Sequence, residues 1–133
     1  MEPVVVWYIR MSLIYFVAGV ITGFGMLLWP EVSGYYIPVH VHLNLMGFMA
    51  MMIYGVGYHI LPKFSGSLIY SPRIMKVQFW IANAGLIGMA ASWPFAGRGD
   101  CPLSETALLA SALLSSIAVA LFAFNILKTV KSV

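Results

Sequence analysis

The sequence predicts an all-α polytopic membrane protein, a bundle of four transmembrane helices with its N and C termini on the cytoplasmic side. Three observations lead to this fold class: the composition, the number of long apolar segments, and the distribution of Lys and Arg. Of the 133 residues, 62% are hydrophobic and only 8% are charged. A soluble domain carries about 25% charged residues. Lipid rather than water is therefore expected to surround most of the chain.

The long apolar segments set the number of spans. A helix needs about 20 apolar residues to cross a bilayer, where only hydrogen bonds within the segment can satisfy the backbone. Four segments have that length: residues 5–29, 39–61, 74–93 and 105–127. The breaks between them each begin and end with proline: residues 30–38, 62–72 and 94–102. No break is long enough for a second domain, so residues 1–133 are predicted to form one transmembrane domain.

The basic residues indicate the orientation. Five lie in or next to the second connection or in the C-terminal tail, which are on the same side of the membrane as the N terminus: Lys63, Arg73, Lys76, Lys128 and Lys131. Arg10, near the start of the first span, can extend to the same surface. The first and third connections hold only Arg98 among basic residues. By the positive-inside rule, the termini and the second connection are cytoplasmic. We expect a multi-pass protein of the inner (cytoplasmic) membrane of the cell.

Charge and cysteine content exclude several classes of function. The net charge of +3 comes from scattered basic residues, without a basic run interleaved with aromatics, so nucleic-acid binding is not expected. Cys101 is the single cysteine, which excludes a disulfide within the chain and a multi-cysteine metal site.

Small residues at helical spacing predict close helix contacts. They occur on three spans: Gly19 and Gly23 on the first, Gly85 and Gly88 on the third, Ser111 and Ser115 on the fourth. Such spacing lets backbones approach, but it does not identify the partner helix. Packing within the chain remains possible, and the Gly19/Gly23 face is also a candidate for closing two copies around a shared site.

All three histidines lie on the second span, and ionisable residues inside a span usually face a pocket, a partner or a cofactor. His42 and His59 are seventeen residues apart, about 25 Å along a helix, so they cannot bind the same metal ion. His40 and His42 are about 200° apart around the helix, so only one can face a given pocket. An alternative for His40 is a side chain in contact with water at the membrane interface. An alternative for His59 is a side chain at the level of the lipid headgroups. For His42, packing and ligation both remain open.

The sequence of the second span resembles a known family. Residues 40–50 (HVHLNLMGFMA) and 58–62 (YHILP) resemble the second helix of the catalytic subunit of heme-copper oxidases, most closely the nitric oxide reductase and cbb-type branches. Residues 15–23 and 78–85 look like the neighbouring helices of that subunit. The resemblance covers roughly residues 7–93, the first three helices.

The resemblance implies a heme site. In the family, the histidine that matches His42 is an axial ligand of the low-spin heme iron, near the outer side of the membrane. The same motif makes Asn44, Met46 and Gly47 candidates for heme contacts, with His40 as the competing iron ligand and His59 as a third, remote one. The later helices, which carry the remaining heme ligands and the copper-site histidines, have no counterpart here. An oxidase or reductase active site is therefore not expected in this chain alone.

These considerations favour a small b-type cytochrome that binds heme b, with electron transfer, heme handling or gas sensing as its role. A homodimer or higher homo-oligomer would supply the second axial ligand as another His42, and a methionine such as Met26 or Met89 is the alternative. A redox partner or respiratory subunit would be the other protein partner, with membrane lipid around the bundle.

Two alternatives remain open. The first is a copper-handling protein, because thioether and imidazole ligands together favour copper(I). Its candidate ligands lie in or near the outer halves of their spans: Met26, Met46, Met49 and Met89, beside His40 and His42. The second alternative is a cofactor-free accessory subunit of a respiratory complex.

Overall fold

The computed structural model describes residues 2–96 and 102–130, which form four long helices without any β-strand in these two ranges. The helices are α1 (Pro3–Leu28), α2 (Pro30–Phe64), α3 (Pro72–Ala96) and α4 (Pro102–Thr129), and each is long and apolar enough to cross a membrane. This confirms the predicted fold class of an all-α, four-helix, multi-pass membrane protein. The orientation of the termini stays a prediction. Cys101, Lys131 and residues 97–100 lie outside the described ranges.

Proline stands at the first position of every helix: Pro3, Pro30, Pro72 and Pro102. Proline suits this position because the first N–H groups of a helix have no partner within it. The predicted break at residues 30–38 was wrong, since α2 begins with a short 3₁₀ turn at Pro30–Val32 and continues as an α-helix from Ser33. Pro38 is tolerated inside the helix because it removes only the hydrogen bond to the carbonyl of Gly34, an exposed residue near the helix start.

The connection between α2 and α3 begins with a tight, glycine-dependent helix end. Gly66 has a φ of 56°, in the left-handed region that residues with a Cβ seldom adopt. The Gly66 N–H donates to the Lys63 carbonyl at 3.2 Å, and the Ser67 N–H donates to the Pro62 carbonyl at 2.9 Å. These two bonds satisfy carbonyls that the end of the helix would otherwise leave free.

Helix α2 packs against both α1 and α3, while α3 packs along the length of α4. Within the described residues, α1 and α4 make no contact and therefore lie on opposite sides of the bundle. The α3–α4 contact uses the small residues predicted for it, because a Cβ at Gly85 or Gly88 would meet Ser115 or Ser111, respectively. The α3 and α4 backbones can approach closely only because these side chains are small.

Helix α2 is not regular along its length. Leu43–Ala50 is π-helical, between α-helical stretches at Ser33–His42 and Met51–Phe64. A π-helix pairs each carbonyl with the N–H five residues later, and such stretches are frequent at functional sites. This segment begins directly after His42, so it contributes to the orientation of the end of α2 that carries two of the three histidines.

Candidate functional site

His40 lies in a notch on the surface of α1. Its Nδ1 is 2.8 Å from the carbonyl oxygen of Gly19. A carbonyl only accepts hydrogen bonds, so Nδ1 carries the proton and the lone pair of the neutral ring is on Nε2. A Cβ added to Gly23 would come within 2.9 Å of the His40 Cε1 atom. The absence of a side chain at Gly23 therefore makes room for this imidazole.

Asn44 fills the neighbouring position on α1. A Cβ at Gly19 would lie 2.6 Å from the Asn44 Nδ2 atom, and this amide donates to the His40 carbonyl at 2.8 Å. The Gly19/Gly23 face is thus covered by His40 and Asn44 of the same chain. The interpretation of this face as the surface that closes two copies was wrong, because the chain's own α2 occupies it.

His42 points to the other side of α2. Its Nδ1 is 2.8 Å from the Pro38 carbonyl oxygen, so this ring also carries its proton on Nδ1 and its lone pair on Nε2. The imidazole lies against Trp93 of α3, with ring centroids 4.9 Å apart and planes inclined by 38°. His42 is half-buried. His40 thus lies against α1 and His42 against α3. This confirms that the two histidines point in different directions, as the helical period predicted.

Two of the other candidate residues lie in close packing contacts. A Cβ at Gly47 would lie 2.6 Å from the Cβ of Tyr15 and 3.0 Å from a methyl carbon of Leu86. Met46 packs against the buried core and lines a small internal space with Tyr54 and Leu86. Gly47 and Met46 thus contribute to the contacts of α2 with α1 and with the bundle interior.

His59 lies at the opposite end of α2. Its Nε2 is 3.0 Å from the Lys63 Nζ atom. Both residues line an opening of about 430 Å³ that also contacts Glu2 and Tyr58. The structure therefore does not bring His59 together with His40 or His42.

The methionines of the copper alternative lie in different surroundings. Met49 is 49% exposed, whereas Met89 is buried and its sulfur accepts a hydrogen bond from the Ser115 hydroxyl at 3.5 Å. Met26 lines a shallow cleft with Trp29 and Tyr36. Within residues 2–96 and 102–130, no three or more His, Cys, Asp or Glu side chains form a group that could hold a metal ion.

A buried polar cluster near the α1 and α3 N-terminal ends was not predicted. The Gln78 Oε1 atom lies 2.8 Å from the Tyr8 hydroxyl and 2.7 Å from the Tyr58 hydroxyl, and the Asn125 Nδ2 atom lies 3.4 Å from the latter. Gln78 is fully buried, and its Nε2 has no hydrogen-bond partner among the described residues. The signal available in the sequence was the rarity of Gln and Asn inside apolar spans, where polar side chains usually join helices.

A second polar pair joins α1 to α3 deeper in the bundle. The Tyr15 hydroxyl donates to the Asn83 Oδ1 atom at 2.6 Å, and the Asn83 Nδ2 donates to the Phe79 carbonyl at 2.7 Å. Together with the pairing of Tyr8 and Gln78, this contact shows that α1 and α3 run parallel and side by side.

Comparisons of the chain with protein-family models, with curated proteins and with solved structures found no match. The resemblance to heme-copper oxidases stays a prediction from the residues, and a functional proposal depends on the geometry around His40 and His42.

Proposed function

We propose that this protein is a small b-type cytochrome of the membrane, in which His42 is an axial ligand of a heme b iron. The observation that carries the proposal is the position of His42, which lies half-buried against Trp93 of α3 while its Nδ1–H donates to the Pro38 carbonyl. His40 makes the same kind of bond to the Gly19 carbonyl, but it lies against α1. Histidines that bind metals almost always donate the other ring N–H to a carbonyl or carboxylate, which selects the tautomer and orients the ring. This bond leaves the Nε2 lone pair of His42 available to iron.

Trp93 supports the same assignment. Its indole lies against the His42 imidazole and restricts rotation of that ring about its side-chain bonds. A ligand that is already ordered loses less conformational entropy when it binds. The half-buried position of His42 between α2 and α3 is also suitable, because facing helices of a bundle are a common place for cofactors.

A six-coordinate heme requires a second axial ligand, and the contacts favour a second copy of the chain as its source. His40 is turned toward α1, and Met26 lines a cleft between α1 and the start of α2. The sulfur of Met89 is engaged by the Ser115 hydroxyl. A two-fold axis places the same residue of two protomers at one depth in the membrane, which suits two His42 ligands. We therefore propose a homodimer with heme between the copies, on a face other than Gly19/Gly23.

Bound heme would supply one-electron redox chemistry through its iron, and the surrounding chain would orient it. His42 would hold the iron, Trp93 would limit movement of the imidazole, and the Pro38 carbonyl would retain the proton on Nδ1. The resemblance to the low-spin heme region of heme-copper oxidases favours electron transfer over gas handling. A redox partner or respiratory subunit would then exchange the electron.

The test compares His42→Ala with His59→Ala as a matched control from the other end of the same helix. Each full-length protein is purified in detergent, titrated with hemin, and measured by absorption spectroscopy before and after reduction with dithionite. We expect His42→Ala to abolish heme binding in the folded protein, because it removes the iron ligand, and His59→Ala to retain most of it. Native mass spectrometry should show one heme per two chains in the wild type.

Three results would contradict the proposal. A wild-type protein that binds no heme after hemin titration would exclude the cytochrome function. Intact heme binding in His42→Ala, with loss in His40→Ala, would move the ligand to His40. A monomer that carries one six-coordinate heme would exclude the shared site. Circular dichroism of each variant should retain the helical spectrum of the wild type, so that loss of heme is not loss of fold.

A further inference from the structure

An apolar groove lies between α1 and α3 on the outside of the bundle. Its volume is about 550 Å³, and aromatic and aliphatic side chains form most of its wall: Trp7, Met11, Phe79, Trp80 and Ile87. This volume is within the range of about 300–1,000 Å³ that is typical of ligand sites. The groove is independent of His42 and of the proposed heme.

The length of the groove corresponds to one leaflet of a bilayer. It extends along α3 from Lys76 to Ile87, eleven residues or about 16 Å. The hydrocarbon region of a bilayer is about 30 Å thick, so this length is about half of it. A groove of this length, open to lipid, can receive one acyl chain from the headgroup level to near the midplane.

One basic residue lines the end of the groove that lies near the helix starts, and a second lies against its wall. Lys76 lines it, is exposed, and has no ion-pair partner in the described part of the chain. The guanidinium of Arg10 lies 5.4 Å from the ring centre of Trp7, which forms part of the groove wall. Since Trp7 precedes Arg10 in α1, the Arg10 side chain is folded back toward the helix start, as expected for a cation that extends to the headgroups.

The combination of an apolar groove with cations at one end indicates an amphipathic ligand with a negative head. We propose that the groove binds one anionic phospholipid, with an acyl chain between α1 and α3 and its phosphate at Lys76 and Arg10. Arg73, one turn before Lys76 on α3, adds to the positive potential at this end. Burial of the acyl chain contributes affinity, whereas the cations provide the preference for an anionic headgroup.

The test measures binding of phosphatidylglycerol and phosphatidylcholine to the full chain by native mass spectrometry in detergent. The wild type should retain phosphatidylglycerol preferentially. One cation near a membrane surface increases the affinity for anionic lipid by about fivefold. The double variant Lys76→Gln with Arg10→Gln removes two cations and should therefore reduce the preference for phosphatidylglycerol by about 25-fold. Lys128→Gln is the control for a general loss of charge, because it removes one exposed cation from α4, none of whose residues lines the groove.

A second variant distinguishes lipid binding in the groove from general electrostatic attraction of anionic lipid to the cations. Ile87→Trp leaves every cation in place and fills the inner end of the groove with a larger ring. We expect this variant to weaken the binding of both lipids by a similar factor. The proposal is overturned if the double variant keeps the wild-type preference, if Lys128→Gln loses it equally, or if Ile87→Trp binds both lipids like the wild type. Helical circular dichroism verifies that each variant is folded.

Discussion

Replacement of Gly47 by alanine tests the close contact between α1 and α2. The added Cβ would lie 2.6 Å from the Cβ of Tyr15, 2.8 Å from its Cγ, and 3.0 Å from a methyl carbon of Leu86. The Cβ of Tyr15 is bonded to the backbone and does not move when the side chain rotates, and rotation of the Cγ would break the hydrogen bond from the Tyr15 hydroxyl to Asn83. Relief of the overlap therefore requires α1 and α2 to separate.

The magnitude follows from three contributions. Overpacking of this kind costs about 1–3 kcal/mol. Displacement of Tyr15 also strains its 2.6 Å hydrogen bond to Asn83, which is worth about 1 kcal/mol. The higher helix propensity of alanine increases the free energy of unfolding by about 1 kcal/mol. The expected net loss in the free energy of unfolding for Gly47→Ala is about 2 kcal/mol, or roughly a thirtyfold change in the unfolding equilibrium constant.

Gly25→Ala is the control, because no heavy atom lies within 4 Å of a Cβ built at Gly25. This variant should be neutral or more stable by up to about 1 kcal/mol. Both variants and the wild type are unfolded with denaturant in mixed micelles and followed by circular dichroism. A Gly47→Ala protein as stable as the wild type, or equal losses in the two variants, would refute the proposed close contact.

Two further predictions concern topology and the α4 end of the bundle. Reporter fusions after Lys63 and after Lys131 should report the cytoplasm, and a fusion within residues 97–100 should report the outer side; an external signal after Lys63 would contradict the orientation. Asn125→Leu should destabilise the protein by about 2 kcal/mol in detergent unfolding, because its amide makes two 3.0 Å hydrogen bonds to the Ser71 backbone. The exposed α4 variant Thr106→Val should change stability by less than about 0.5 kcal/mol, and equal effects of the two substitutions would contradict the role of Asn125.

The helical class and the number of spans could be predicted from composition, because a backbone in lipid must satisfy its hydrogen bonds within each segment. The divergence of His40 and His42 also followed from the helical period alone. The boundaries were less accurate, as Pro38 shows. Proline was taken as the end of a connection, yet near a helix start it removes only one hydrogen bond and the helix can include it.

The contacts between helices were decided by the tertiary structure. Gly19 and Gly23 have a spacing that suits a second copy as well as the chain's own α2, and only the fold shows that His40 and Asn44 cover them. The pairing of Gln78 with two tyrosines likewise depends on how α1, α2 and α3 are rotated relative to each other. In a soluble helix, an apolar stripe marks the buried face. Lipid is as apolar as the interior of the bundle, so the sequence of a membrane span establishes that the helix crosses the membrane, whereas packing and hydrogen bonds between helices decide which face turns inward.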